Sequence, residues 1–86
     1  MFEFDSKKSA INEQKHGINF VDAQQLWSVE SVILESKFSE ESRFILIAEV
    51  SSVCWTAIFT KRADKIRLIS VRRSRKNEKE FFYAKR

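Results

Sequence analysis

Five arginines fall within fourteen residues near the end of this 86-residue chain: Arg62, Arg67, Arg72, Arg73 and Arg75. Guanidinium groups are forked and permanently charged, a geometry matched to phosphate, so the cluster is suited to holding a polyanion. It sits on a stretch that reads as two β-branched and aromatic strands, 54–60 and 65–71, joined by a short charged turn. Arg62, beside that turn, is placed to clamp a phosphate. Arg67 and Arg72 interrupt an otherwise apolar strand, where a charge must be either paired or put to use. Glu3, Glu41 and Glu49 are the candidate partners. On a flat strand the two arginines have opposite parity, so a shared site requires a bulge or a strand exit near Arg72.

A second set lies near the N-terminus. Asp5 is a helix N-cap, residues 6–16 contain no breaker, and Gly17 stands where a left-handed C-terminal residue is wanted. On that helix Lys8, Asn12, Lys15 and His16 fall at i, i+4, i+7 and i+8 and form one polar stripe. Lys8 and Lys15 can guide phosphates. His16 can move protons near neutral pH, or simply interact with the helix C-terminus. Phe4 and Tyr83 can stack on bases, whereas Trp27, Trp55, Phe81 and Phe82 read as packing residues.

Other chemistries lack their residues. One histidine, one cysteine and scattered carboxylates give no metal-ligand spacing. No serine sits in a strained nucleophile elbow, and one glycine cannot build a phosphate loop. A cationic site needing neither metal nor cofactor remains, and it suits RNA, whose own 2′-hydroxyl is the nucleophile. The protein then orients the strand, neutralises charge on the phosphorane and moves protons.

Charge is divided along the chain. The first 60 residues carry 5 Lys and Arg against 9 Asp and Glu, a net −4, and the last 26 carry 11 against 3, a net +8. A basic end on an acidic body fits a nucleic acid or an acidic protein partner. The length implies a single domain over residues 1–86. Cys54 has no partner for a disulfide, and the chain shows neither a signal core nor a membrane-length apolar run, which together point to the cytoplasm.

Elements follow from the periodicities. A short edge strand at 2–4 and the first helix lead to a second helix opened by Asn19 and Asp22, with Phe20, Ala23, Gln24 and Trp27 along one side. A strand at 29–34 and a polar loop at 35–41 come next, then strands at 43–50, 54–60 and 65–71. The Ser51-Ser52 turn lacks the glycine favoured in tight hairpins. Ser74 caps a last helix ending near Ala84. The expected fold is α+β, with the N-terminal helices and a C-terminal helix packed on one face of a four-stranded antiparallel sheet.

Together, Phe2-Glu3-Phe4-Asp5, Lys8, Asn12, Lys15-His16-Gly17, Phe20, Ala23, Glu41 with Arg43-Phe44, Thr60 with Arg62, Ile66-Arg67, Ile69-Ser70, Arg72 and Glu78 resemble the BrnT family of bacterial type II toxins. The resemblance runs over nearly the whole chain. It implies a RelE-like ribonuclease fold, RNA cleavage that arrests growth, and neutralisation by a BrnA-type antitoxin that also represses the operon, so that operator DNA is met only through the antitoxin. Members of the family usually carry tryptophan where Phe4 stands, glycine near Ala48-Glu49, and alanine at Val71 and Ser74. Phenylalanine keeps the stacking surface and loses the indole donor. The expectation is therefore a metal-independent endoribonuclease toxin acting on mRNA, with Arg62, Arg67, Arg72 and His16 catalytic and Phe4, Lys8, Lys15, Arg73, Arg75 and Tyr83 contacting RNA. The alternative is an inactive module of the same fold that binds the antitoxin or nucleic acid.

Overall fold

The computed structural model describes residues 1–37 and 42–85. Their order is β1 (Phe2–Glu3), α1 (Ser6–His16), a 3-10 helix (Asp22–Ser28), β2 (Ser31–Lys37), β3 (Ser42–Val50), β4 (Val53–Arg62), β5 (Lys65–Arg73) and α2 (Lys76–Lys85). The α+β class is as expected. The sheet, however, has five strands in the order β1-β5-β4-β3-β2, and it is mixed, because β1 runs parallel to β5. A two-residue strand whose partner lies more than sixty residues away carries no local sign of its pairing. The polar loop expected at 35–41 gives way to β2 as far as Lys37, and its remainder, with the candidate partner Glu41, lies outside the described residues. None of the described helices is long and apolar enough to cross a membrane.

The helices do not share one face of the sheet. Leu46, Ala48, Ala57, Phe59, Leu68 and Val71 form the main core with Phe20, Ala23 and Leu26 from the N-terminal side. Residues of opposite parity, Ile45, Ile47 and Cys54, pack against Phe81 and Phe82 of α2 on the other face. Apolar residues on both faces of β3 and β4 call for cover on both, and the two ends of the chain provide it.

Local chemistry explains each helix. The Asp5 carboxylate accepts hydrogen bonds from the backbone N–H groups of Lys7 and Lys8 at 2.8 and 3.3 Å, and Gly17, at φ 79°, closes α1. Asn19 accepts from the Asp22 N–H at 2.7 Å, as its position suggests, but the helix it opens is of the 3-10 type. The buried residues Phe20, Ala23 and Leu26 recur every third position, the period of a 3-10 turn, so Leu26 takes the core place expected for Gln24. In the two-residue turn between β3 and β4, Ser51 and Ser52 both adopt positive φ, 53° and 67°, in the manner of a type I′ turn built without glycine.

Two ties hold the outer edge of β5. At one end the Ile66 N–H donates to the Met1 carbonyl at 2.8 Å. At the other, Asn12 acts as a substitute strand: its Nδ2 donates to the Val71 carbonyl at 2.8 Å while its Oδ1 accepts from the Val71 N–H at 3.1 Å. The same Nδ2 reaches the Ile18 carbonyl at 2.8 Å. Asn12 is therefore buried and satisfied, the structural member of a stripe that is otherwise cationic. Asn12→Ala would leave the Val71 N–H and C=O inside the protein without partners, and it should lower the unfolding free energy by about 3 kcal/mol in urea denaturation. A loss below about 0.5 kcal/mol would contradict this role.

Candidate nucleic-acid interface

The register of β4 and β5 decides which arginines can act together. Ile58 pairs with Ser70 and Phe59 with Leu68, leaving Ile69 as an extra residue, a β-bulge. Below the bulge Arg67 faces Thr60, and above it Ser70 and Arg72 face Ile58 and Thr56. Thr56, Ile58, Thr60 and Arg62 share one face of β4, so Arg62, Arg67, Ser70 and Arg72 all lie on that face of the sheet. The condition for a shared face is met by Ile69. At ~3.3 Å per residue, the backbones of Arg67 and Arg72 are nonetheless ~13 Å apart along the strand, a spacing for a run of nucleotides rather than one phosphate.

Both strand arginines are paired. Arg67 Nη1 lies 3.0 Å from Glu3 Oε2, one of the partners expected for it. Arg72 takes a different partner, Glu78 of α2, through two parallel bonds of 2.7 and 2.9 Å. Glu78 also accepts from the Arg75 N–H at 2.7 Å and the Thr56 hydroxyl at 3.0 Å. Because Thr56 spends its one hydrogen on Glu78, Ser74 supplies the hydrogen of the 2.7 Å Ser74–Thr56 bond. The Ser74 hydroxyl is thus tied to β4, and the start of α2 is held by Glu78 reaching back to Arg75, the reverse half of a capping box. The spacing of Arg75 and Glu78 at the start of the helix is the signal that could have identified Glu78; Glu49 instead accepts from the Tyr83 hydroxyl at 2.8 Å.

The remaining candidates divide by location. Lys8, Lys15 and His16 line one groove of about 180 Å³ with Ile11, Asn12 and the bulge residues Ile69 and Ser70. On β5 the groove meets Ile69 and Ser70, between the stretch paired with β1, which ends at Arg67, and the Asn12 tie at Val71. It joins the cationic stripe of α1 to the arginine face through Ser70. Arg62 is exposed at the end of β4, opposite Lys65. Arg73 has the opposite parity and lies over the Trp55 ring, 5.9 Å from its centre, on the face that carries the 3-10 helix. Arg75 is exposed beside α2, and Tyr83 sits on α2. Phe4 packs edge-on against Phe20, 5.6 Å between ring centres, at the border of the main core. Phe4, Arg73, Arg75 and Tyr83 are thus not gathered into the groove. Among the described residues no three His, Cys, Asp or Glu side chains cluster as a metal ion would require.

The Arg72–Glu78 pair has a pH signature. The Arg72 hydrogen bonds, helped by the Arg75 N–H and the Thr56 hydroxyl, hold the Glu78 carboxyl down at about 2 against the opposing effect of burial, and Glu78 in turn raises Arg72. A carboxyl lowered on folding stabilises the native state above its unfolded value of 4.5, and that contribution fades as the pH falls toward 2. Glu78→Gln should cost about 2 kcal/mol at pH 7. It should also flatten the decline of native stability between pH 4.5 and 2, as read by denaturant titration at each pH. Parallel native and variant profiles over that range would contradict the pairing.

A family model described as "Ribonuclease toxin, BrnT, of type II toxin-antitoxin system" matches residues 4–78. No curated protein matches the chain. The matched stretch holds α1, the whole sheet from β2 to β5, the bulge and Glu78, so it contains the groove and the Arg72–Glu78 pair. The chain belongs to the BrnT family, the ribonuclease toxins of type II toxin–antitoxin systems.

Proposed function

We propose that residues 1–86 form a single toxin domain, a metal-independent endoribonuclease that cuts mRNA in the cytoplasm, halts translation and growth, and is neutralised by a BrnA-type antitoxin. The observation that carries this reading is the groove in which Lys8, Lys15, His16 and Ser70 meet beside the β5 bulge. Each member has a role in an attack by the RNA 2′-hydroxyl on its own phosphate. Lys15 and Lys8 draw the strand in and offset the charge that grows on the phosphorane; His16 takes the 2′-hydroxyl proton and delivers one to the 5′-oxygen as the P–O5′ bond breaks, leaving a 2′,3′-cyclic phosphate and a 5′-hydroxyl. Ser70, with both a donor and an acceptor, orients a phosphate or a ribose hydroxyl.

Arg67 and Arg72, expected to be catalytic, take a supporting part in this reading. Arg67 and Arg72 are fixed by carboxylates, which offset much of their charge but hold each guanidinium plane in place. The remaining N–H groups of Arg72 provide a rigid donor surface on which the strand can rest. Arg62 extends that face toward the β4–β5 turn. RNA binds directly along the groove and this face, whereas operator DNA is met only through the antitoxin.

Inducible expression in a bacterial host tests the reading. The native chain should stop growth and fragment RNA, while His16→Ala, purified and folded, should cut at least about a hundredfold more slowly. Lys15→Glu should weaken RNA binding and reduce its salt dependence. A native chain that binds RNA without cutting it and leaves growth unaffected would support the binding module instead.

A further inference from the structure

A second hollow begins where the α1–β5 groove ends. His16 is the last α1 residue of the groove, and the next residue, Gly17, lines a hollow of about 250 Å³ with Asp22, Gln25, Val50, Ser51 and Trp55. It lies between the first turn of the 3-10 helix and the strained Ser51-Ser52 hairpin. The size suits one planar ring system: drug-sized ligands need ~300 Å³ or more.

Its chemistry is that of base recognition. Trp55 is half-buried, presenting part of its ring to the hollow, and the Arg73 guanidinium lies over the same ring. Aromatic faces and guanidinium planes are the two surfaces on which unstacked RNA bases rest. Asp22 is exposed at the rim, and its backbone is fixed by the 2.7 Å bond to Asn19. A carboxylate only accepts hydrogen bonds. Among the four bases, guanine alone offers two adjacent donors on its Watson–Crick edge, N1–H and the N2 amino group, and so matches a carboxylate through two bonds.

The geometry points to this hollow as a guanine pocket next to the scissile phosphate, with Trp55 the stacking platform and Asp22 the specificity-determining residue. The inference rests on the proposed cleavage in the adjoining groove. A strand whose backbone lies along Lys8, Lys15 and His16 passes Gly17, which carries no side chain to block it, and turns the next base over Trp55. Arg73 then lies close to the following phosphate.

The test uses the full chain and two hexamers made uncleavable by 2′-O-methylation, one of six uridines and one with a single central guanosine. The guanosine strand should bind about tenfold tighter and shift the Trp55 indole NMR signal. Asp22→Asn should erase the difference between the two strands, and Lys15→Glu should weaken both equally. Equal native affinity for the two strands, or a preference that survives Asp22→Asn, overturns the pocket. Mapping cut ends on a mixed RNA separates this inference from the reading beneath it. Cuts without guanine bias overturn the pocket and leave the ribonuclease standing, whereas guanine-dependent binding without any cut leaves the pocket standing and removes cleavage from the groove.

Discussion

Ile69 is one residue more than β4 can pair, and the shape of the basic face depends on it. Ile66 and Leu68 point into the core before the bulge, and Val71 does so after it; if Ile69 were paired in regular register, the two groups would fall on opposite faces. Hydrophobic burial therefore favours the bulge, because a flat strand would expose Val71 or bury the charge of Arg72 in the core. The same shift in phase brings Arg67, Ser70 and Arg72 onto one face. A packing requirement thus lays out the charged surface.

The bulge is bracketed by the two ties on the outer edge of β5, Met1 at Ile66 and Asn12 at Val71. Sheet edges with unpaired backbone groups are normally covered or blunted. Here the cover stops on either side of Ile69 and Ser70, and the cationic side of α1 borders the gap. One helix thus closes the edge with a buried asparagine and lines the opening with Lys8, Lys15 and His16. The electrostatics show the same division: the strand arginines are held by Glu3 and Glu78, and the lysines of α1 stand exposed at the groove.

Much of this was legible in the sequence. Asp5 and Gly17 bounded α1 correctly, and the α1 stripe read from spacing is the set that lines the groove. The parity of Arg67 and Arg72 called for a bulge or a strand exit if the two were to share a site, whereas the helices, expected on one face of the sheet, cover both. The features that stayed hidden were set by distant contacts or by backbone detail. The pairing of β1 with β5, the placement of α2 opposite the N-terminal helices, and the choice of Glu78 over Glu49 for Arg72 each depend on how separate elements dock. The 3-10 helix was visible in principle, since Phe20, Ala23 and Leu26 recur at threes, but Asn19 and Asp22 serve equally well to open an α-helix.

Product chemistry tests the central claim most directly. Purified protein is incubated with single-stranded RNA in excess EDTA, and the new ends are identified by mass spectrometry beside a strand lacking 2′-hydroxyls. Attack by the RNA's own 2′-hydroxyl in the α1–β5 groove predicts cleavage undiminished by EDTA, ends bearing 2′,3′-cyclic phosphate and 5′-hydroxyl, and no cutting of the deoxy strand. Cleavage that requires a divalent cation, or that leaves 3′-hydroxyl ends and also cuts the deoxy strand, would contradict it.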